Sequence, residues 1–395
     1  MHKIISYIAC VVLLNLTVFP AKASFTSLYV FGDGLSTTTN NPSAGPLYYG
    51  KRYSNGRVWV EVLAQRQGLT YDPNKNWSYF YNTSTSMLAH VNNFNAPPDA
   101  GKALFVIWVN CADLWFPAYY SGANMAAWNN AINQSQTNHY KAAINLYAKG
   151  VRTLVMPNAV DLSTIPEFNT SVNANFIHLR CLDYNVAFTN TLNQIRTACP
   201  GLTVYAPDFF GLLTNLLATP AEYGVINALG DGLPIDAIDA VNYGFPGAII
   251  NGFGTNFIFW NIDNPTAMVH TWMANLAQQL ISPAQISQLT VLNGSNRLDL
   301  VNVPVGQNGL VLGCTNQLTW VSWSSSAWTT NASFSSINTT QSVFIPTAGD
   351  VSSQARQLSP MVSIDPGGGG GTNAMPIDSK MQLYQLSFPY SWTWP

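Results

Sequence analysis

Residues able to make or break bonds gather at two places in this chain. The first is Gly32-Asp33-Gly34-Leu35-Ser36, which follows the apolar run Leu28-Tyr29-Val30-Phe31. The second is Asn261-Ile262-Asp263-Asn264, with His270 six positions further on. A hydroxyl or thiol attacks a carbonyl once a base takes its proton, and a third group must hold that base in place. Ser36 and Cys111 are the nucleophiles within reach of such a scheme, and His90 and His270 are the bases. Each has a plainer reading. Ser36 suits a cap on the following helix or turn, Cys111 a small buried thiol, His270 a residue covering core or surface, and Asp263 a helix cap. Asp33 and Asp113 read as loop carboxylates accepting backbone N–H groups, with a ligand role as the alternative. No His, Cys or Asp cluster has metal-ligand spacing, so neither metal nor cofactor is implied.

The elements that must position these residues follow from periodicity. Leu28 to Phe31 is an apolar run of strand length that breaks into a Gly-Asp-Gly turn, the form a strand takes when it delivers a small loop to a sheet edge. Helical period spans Gly56 to Gly68, Ser86 to Phe94, Ala123 to Lys149, Val172 to Thr197, Asp208 to Leu217 and Thr266 to Leu280. Between them lie the apolar runs Ala103 to Val109, Val151 to Met156 and Leu202 to Ala206. Strands alternating with long helices predict an α/β fold with a doubly wound, mostly parallel sheet, covered on both faces. After Pro283 the pattern changes to short β-rich runs at 289–292, 310–312, 318–323, 342–346 and 384–388. These predict a small all-β module, a sandwich, with Gly367 to Gly371 as a flexible linker and Trp392-Thr393-Trp394 packed against it.

Composition narrows the partners. Of 395 residues only 9% are charged while 12% are aromatic, and the net charge is -2. With no basic run, nucleic acid and anionic membranes are excluded as partners. Lys3, the apolar run Ile4 to Leu14, and Ala21-Lys22-Ala23 form a secretory signal over residues 1–23, which predicts a secreted or extracytoplasmic protein. No later stretch reaches the roughly 18 apolar residues of a membrane span, so no integral membrane segment is expected after cleavage. Cys111, Cys181, Cys199 and Cys314 then remain. If Cys181 and Cys199 share one helix, they stand about 27 Å apart along it, far beyond bridging distance. Buried free thiols are expected.

Several blocks, in order, resemble one family. Leu28 to Ser36, Tyr53 to Glu61, Asn76 to Phe80, Val106 to Trp108 leading to Asp113-Leu114-Trp115, Asp208 to Phe210 through Pro220 to Gly224, and Phe259-Trp260 through Thr266 and His270 resemble the GDSL (SGNH) hydrolases. That resemblance covers residues 24–282 and implies a flavodoxin-like sheet and a secreted esterase or lipase; residues 283–395 lie outside it. It also implies a serine nucleophile, an aspartate and histidine three residues apart, and oxyanion donors. Position by position, those triad places fall on Gly34, Asn261 and Asn264, none of which supplies the chemistry. The second-block glycine falls on Tyr81 and the third-block asparagine on Ala112, with Asn110 two residues earlier. The resulting expectation is a catalytically impaired binding protein for a neutral small-molecule ligand, carbohydrate or ester, held near Asp33, Tyr81, Asn110, Ala112 and Asp113. Trp108, Trp115, Tyr79 and Tyr81 would then line the cleft. The alternatives are an active hydrolase of acyl or acetyl esters using Ser36 or Cys111 with His90 or His270, and an assembly protein held by its β module.

Overall fold

Five consecutive residues of strand β1 (Leu28–Gly32) are buried, which requires cover on both sheet faces. A computed structural model describes residues 25–42, 45–225, 236–238, 256–292, 294–314, 329–346 and 383–388. The expected signal peptide, the run 318–323, the glycine run 367–371 and the Trp392 to Trp394 end lie outside these residues. β1 pairs in parallel with β2 (Leu104–Trp108), β2 with β3 (Thr153–Val155), and β3 with β4 (Thr203–Tyr205). On the free edge of β1, Asn76 forms a parallel bridge to Val30, and the Trp77 N–H donates to the Val30 carbonyl at 2.8 Å. Counting that bridge, chain order across the sheet runs 2-1-3-4-5, the flavodoxin-like order.

The crossovers are α1 (Trp59–Arg66), α2 (Ser84–Asn93), α3 (Asn110–Tyr120), α4 (Met125–Ala148), α5 (Ala174–Ala198), α6 (Phe209–Ala218) and α7 (Ala267–Ile281). α1 packs with α7, while α4 packs with α2, α3 and α5. Helix positions match their predicted spans to within about three residues at most ends, except α3. Periodicity did not show α3, because Pro117 interrupts its pattern and removes one backbone donor inside the helix. Aromatic packing joins sheet to helices: Tyr29 stacks on Phe105 at 4.7 Å, and Phe209 meets Trp59 and Trp108 edge-on at 5.3 and 5.0 Å. Cys111, Cys181 and Cys199 are buried and unbridged, with Cys181 inside α5 and Cys199 just past its end.

The C-terminal region is antiparallel. β5 (Gln285–Leu292), β6 (Ser295–Val301) and β9 (Thr340–Pro346) form one sheet; β7 (Asn308–Cys314), β8 (Thr329–Ser335) and β10 (Leu383–Ser387) form the other. Leu298, Leu300, Val311, Val343 and Ile345 share a core between them. β6 and β8 were missed in the sequence, although β6 alternates buried and half-buried residues along its length. Arg66 at the end of α1 ties this region to the sheet domain. Its guanidinium donates to Asn275 Oδ1 at 3.0 Å and to the Val305 carbonyl at 2.8 Å, and Gln307 donates to the same Asn275 oxygen at 2.9 Å. Burial lowers the Arg66 pKa to about 10, which leaves it charged at neutral pH.

Candidate functional site

The switch point of a doubly wound sheet lies between its first and third strands, at their carboxyl ends. Here those ends belong to β1 and β2, and the two loops that leave them are joined by one side chain. Asp33 Oδ1 accepts the Leu35 N–H at 3.0 Å, capping the single 3-10 turn Gly34–Ser36, and Oδ2 accepts the Ala112 N–H at 3.3 Å. The expected loop-structuring role of Asp33 is thus present. Burial nevertheless raises its pKa to about 7; the two backbone donors oppose that shift and the nearby Asp113 carboxylate adds to it.

The two glycines of the turn differ. A Cβ on Gly32 would lie 2.6 Å from Ser78 Oγ and 2.7 Å from Ser36 Cβ, so close approach of backbone requires glycine there. A Cβ on Gly34 would meet only Phe80 and Tyr53 ring carbons, at 3.6 to 3.8 Å. A side chain would fit at Gly34, so packing does not account for its absence. Ser36 does not cap anything; it is buried and accepts the Trp59 Nε1–H at 3.0 Å.

The second group comes together across the pocket. Asn264 Nδ2 donates to Asn261 Oδ1 at 3.0 Å, and the same oxygen accepts the backbone N–H groups of Asp263 and Asn264 at 3.1 and 2.8 Å. Asn261 Nδ2 in turn donates to the Tyr48 hydroxyl at 3.2 Å. The two amides therefore keep a side-chain contact three residues apart, but neither can carry a proton between groups. Asn264 lies on the pocket wall and Asn261 stands behind it. Asp263 is not a helix cap, since α7 begins at Ala267; it faces the pocket and accepts the Trp115 Nε1–H at 2.9 Å. Burial raises its pKa, and the indole donor opposes that.

Tyr81 has a φ of 60°, the left-handed region that glycine adopts freely, at the position where the family resemblance implies glycine. Its ring lies against Phe80 and faces the pocket beside Trp115. Asn110 and Asp113 point elsewhere. Asn110 Nδ2 donates to the Pro157 carbonyl at 2.9 Å, and Asp113 Oδ1 accepts the Ser84 N–H at 2.9 Å; neither lies on the wall. The first turn of α3 carries both residues inward, which a loop in that place would not have done. Tyr79 packs edge-on against His90, away from the wall.

The pocket is open to solvent, and about 860 Å³ of empty space, part of it open solvent, lies between its walls. Trp108, Trp115 and Tyr81 line it as expected. Most of the remaining wall was not foreseen: Val160, Leu162 and Ile165 from the loop after β3, and Leu212, Leu213 and Leu216 from α6. Phe259, Val269 and Met273 close the far side. The polar side chains on the wall are Asp33, Asp263, Asn264 and Tyr81, with the Cys111 thiol; the indole N–H groups of Trp108 and Trp115 are already donated to the Asn158 carbonyl and to Asp263. Burial pushes that thiol well above its ordinary value and so away from thiolate. His90 and His270 are both off the wall, and burial lowers the His270 pKa to about 3.

No protein-family model matches the chain, and no curated protein matches it. Among solved structures it is similar to a lipase from goat rumen metagenome (12% identity, 65% of this chain and 98% of that one, TM-score 0.41). It is also similar to an acetylxylan esterase from Geobacillus stearothermophilus (10% identity, 65% and 92%, TM-score 0.34). A lipase/acylhydrolase from Enterococcus faecalis aligns at 9% identity over 64% and 93%, with a TM-score of 0.33. Identities and scores this low decide nothing about the reaction, so the pocket is read from its own residues. Among the described residues no group of His, Cys, Asp and Glu could hold a metal, and no helix is long and apolar enough to cross a membrane.

Proposed function

We propose that this chain is an exported binding protein for a neutral ligand bearing an acyl chain, built on a hydrolase-like frame without the hydrolytic groups. The observation that carries the reading is the wall itself: apolar nearly throughout, with Gly34 and Asn264 where attack and proton transfer would be needed. An acyl chain gains about 0.8 kcal/mol for each CH₂ taken from water. A sugar has the opposite requirement. Its hydroxyls would be desolvated against leucine, valine and phenylalanine with only Asp33, Asp263, Asn264 and the Tyr81 hydroxyl to meet them, which is costly. Between the carbohydrate expected from residue types and the ester implied by the resemblance, the wall favours the ester. Export rests on the pattern of residues 1–23.

A displaced nucleophile is not favoured. The Ser36 oxygen is occupied by Trp59, Cys111 is held as thiol, and neither candidate histidine reaches the pocket. The test is titration of the purified protein with methyl laurate, followed by tryptophan fluorescence, beside a xylo-oligosaccharide control. Saturable binding of the ester alone is expected, weakened about tenfold or more when Ala112→Trp places an indole in the pocket. Binding of the oligosaccharide alone would overturn the ligand class. Hydrolysis of nitrophenyl esters that disappears in Cys111→Ala would overturn the loss of catalysis.

A further inference from the structure

The pocket wall continues outward onto the surface. α3 carries Trp115 and Phe116 at the mouth and Tyr119 and Tyr120 one turn further on. The i, i+4 spacing stacks them in pairs: Trp115 on Tyr119 at 4.7 Å and 12°, Phe116 on Tyr120 at 6.2 Å and 20°. Tyr81 joins from the loop before α2, 5.4 Å from both Trp115 and Phe116. These rings touch one another and still face water, Tyr119 being 53% exposed, Tyr120 71% and Tyr81 44%. Ile262, 41% exposed, lies in the same loop as Asp263, which accepts the Trp115 indole N–H. Apolar residues scattered singly on a surface need no explanation, whereas a contiguous patch at a pocket mouth marks an interaction site.

Three features choose its occupant. Trp115 and Tyr81 belong both to the pocket wall and to the outer patch, so an acyl chain can pass from a lipid phase into the pocket without crossing water. Tyrosine and tryptophan have an apolar body and a polar tip, the pairing that suits the level of lipid headgroups. Two acidic residues border the rings: Asp263 accepts the Trp115 Nε1–H at 2.9 Å, and Glu167 donates its backbone N–H to the Ile262 carbonyl at 3.1 Å. Such a rim is repelled by an anionic surface and tolerates a neutral one.

We propose that this ring shelf seats the protein on a neutral lipid surface and that the ligand enters the pocket directly from that phase. The nature of the ligand rests on the reading given under Proposed function; the shelf itself is tested separately. The experiment is flotation of the full chain with phosphatidylcholine vesicles, with and without phosphatidylglycerol, for the natural protein and for Tyr119→Ser/Tyr120→Ser. Neither substituted residue lines the pocket. The natural protein is expected to float with phosphatidylcholine, less as anionic lipid is added, and the double variant to bind about tenfold less. Monomeric methyl laurate binding should be unchanged in that variant. The proposal is overturned if the natural protein stays with the soluble fraction or if the double variant floats as well as the natural one. It is also overturned if a soluble polysaccharide binds through Tyr119 and Tyr120. Vesicle binding without any methyl laurate binding would remove the pocket reading and leave the shelf standing.

Discussion

Two polar clusters lie on opposite sides of α3, and they are mirror cases. On one side is a pocket with the shape for chemistry and the wrong residues: Gly34 and Asn264 on its wall, with Asn261 behind. On the other is a sealed cluster with the residue types of a hydrolase and no access. There, Ser135 Oγ is 2.8 Å from the Tyr184 hydroxyl and 3.3 Å from His139 Nδ1, with Asp113 close by, and all four residues are buried. His139 Nδ1 donates to the Ser135 carbonyl at 2.8 Å, so that nitrogen already carries a proton and cannot take one from the serine. Burial also lowers the His139 pKa to about 4. Serine, histidine and aspartate in proximity are therefore a packing device here, while a cavity without them is the binding site. Access and tautomer, more than residue type, separate the two.

Restoring chemistry to the pocket is the strongest test of that contrast. Gly34→Ser with Asn261→Asp and Asn264→His should hydrolyse short nitrophenyl esters on the order of 10³ faster than the natural protein, if positioning is intact. No gain, even with Tyr81→Gly added, would mean the pocket is not the equivalent of a hydrolase site. Ser135→Ala should leave that new activity unchanged, because its cluster has no route to substrate.

The next effect is electrostatic. Burial raises Asp33 to about 7 and Asp113 to about 6 from 3.8, and lowers His139 to about 4 and His270 to about 3 from 6.5. Above pH 4 the folded state holds two protons that the unfolded carboxylates release, so stability falls as pH rises toward 7. Below pH 6.5 the unfolded histidines take two protons that the folded ones refuse, so stability falls as pH drops. Between about pH 4 and 6 these slopes oppose one another, and the raised Asp263 and Glu167 carboxyls act in the same direction as Asp33 and Asp113. Asp113→Asn should stabilise the protein at pH 7 by on the order of 2 kcal/mol. It should also make the slope of stability against pH between 4 and 6 more positive than in the natural protein by about 1.4 kcal/mol per pH unit, read from urea unfolding of both. An unchanged slope in the variant would contradict the buried, protonated state of Asp113.

Smaller effects separate the clusters further. Ser135→Ala deprives the buried Tyr184 hydroxyl of a partner and should cost about 1 to 3 kcal/mol in stability, with no change in methyl laurate affinity. Trp115→Phe removes the donor to Asp263 while keeping a ring at the mouth. It should cost about 1 kcal/mol or less and lower ligand affinity only slightly; a large loss would mean that Asp263 contacts the ligand.

The alternation of strands and helices was legible because each parallel strand is buried on both faces and reads as an unbroken apolar run. β6 and β8 were less visible among Asn, Ser and Thr, and α3 was hidden by Pro117. At the site, Asp33, Gly34 and Asn264 were identified from the blocks that resemble the GDSL hydrolases, and the structure brings all three to one pocket. Asn110 and Asp113 were assigned to it from the same resemblance, and α3 turns both inward. The leucines of α6 could not have been found: an apolar helix face looks the same whether it meets another side chain or an empty space.

Local sequence determined the chain's elements and the absence of a nucleophile or base at 34 and 264, because these depend on side-chain chemistry and neighbours a few residues away. Tertiary structure decided which residues face solvent. It set the apolar character of the pocket, the orphaned chemistry of Ser135 and His139 in the core, and the exposure of Tyr119 and Tyr120 at its mouth. The pocket arises where segments as far apart as Asp33 and Asn264 meet at the carboxyl ends of β1 and β2, and the sealed cluster where α4 meets α5; no local pattern records such a meeting.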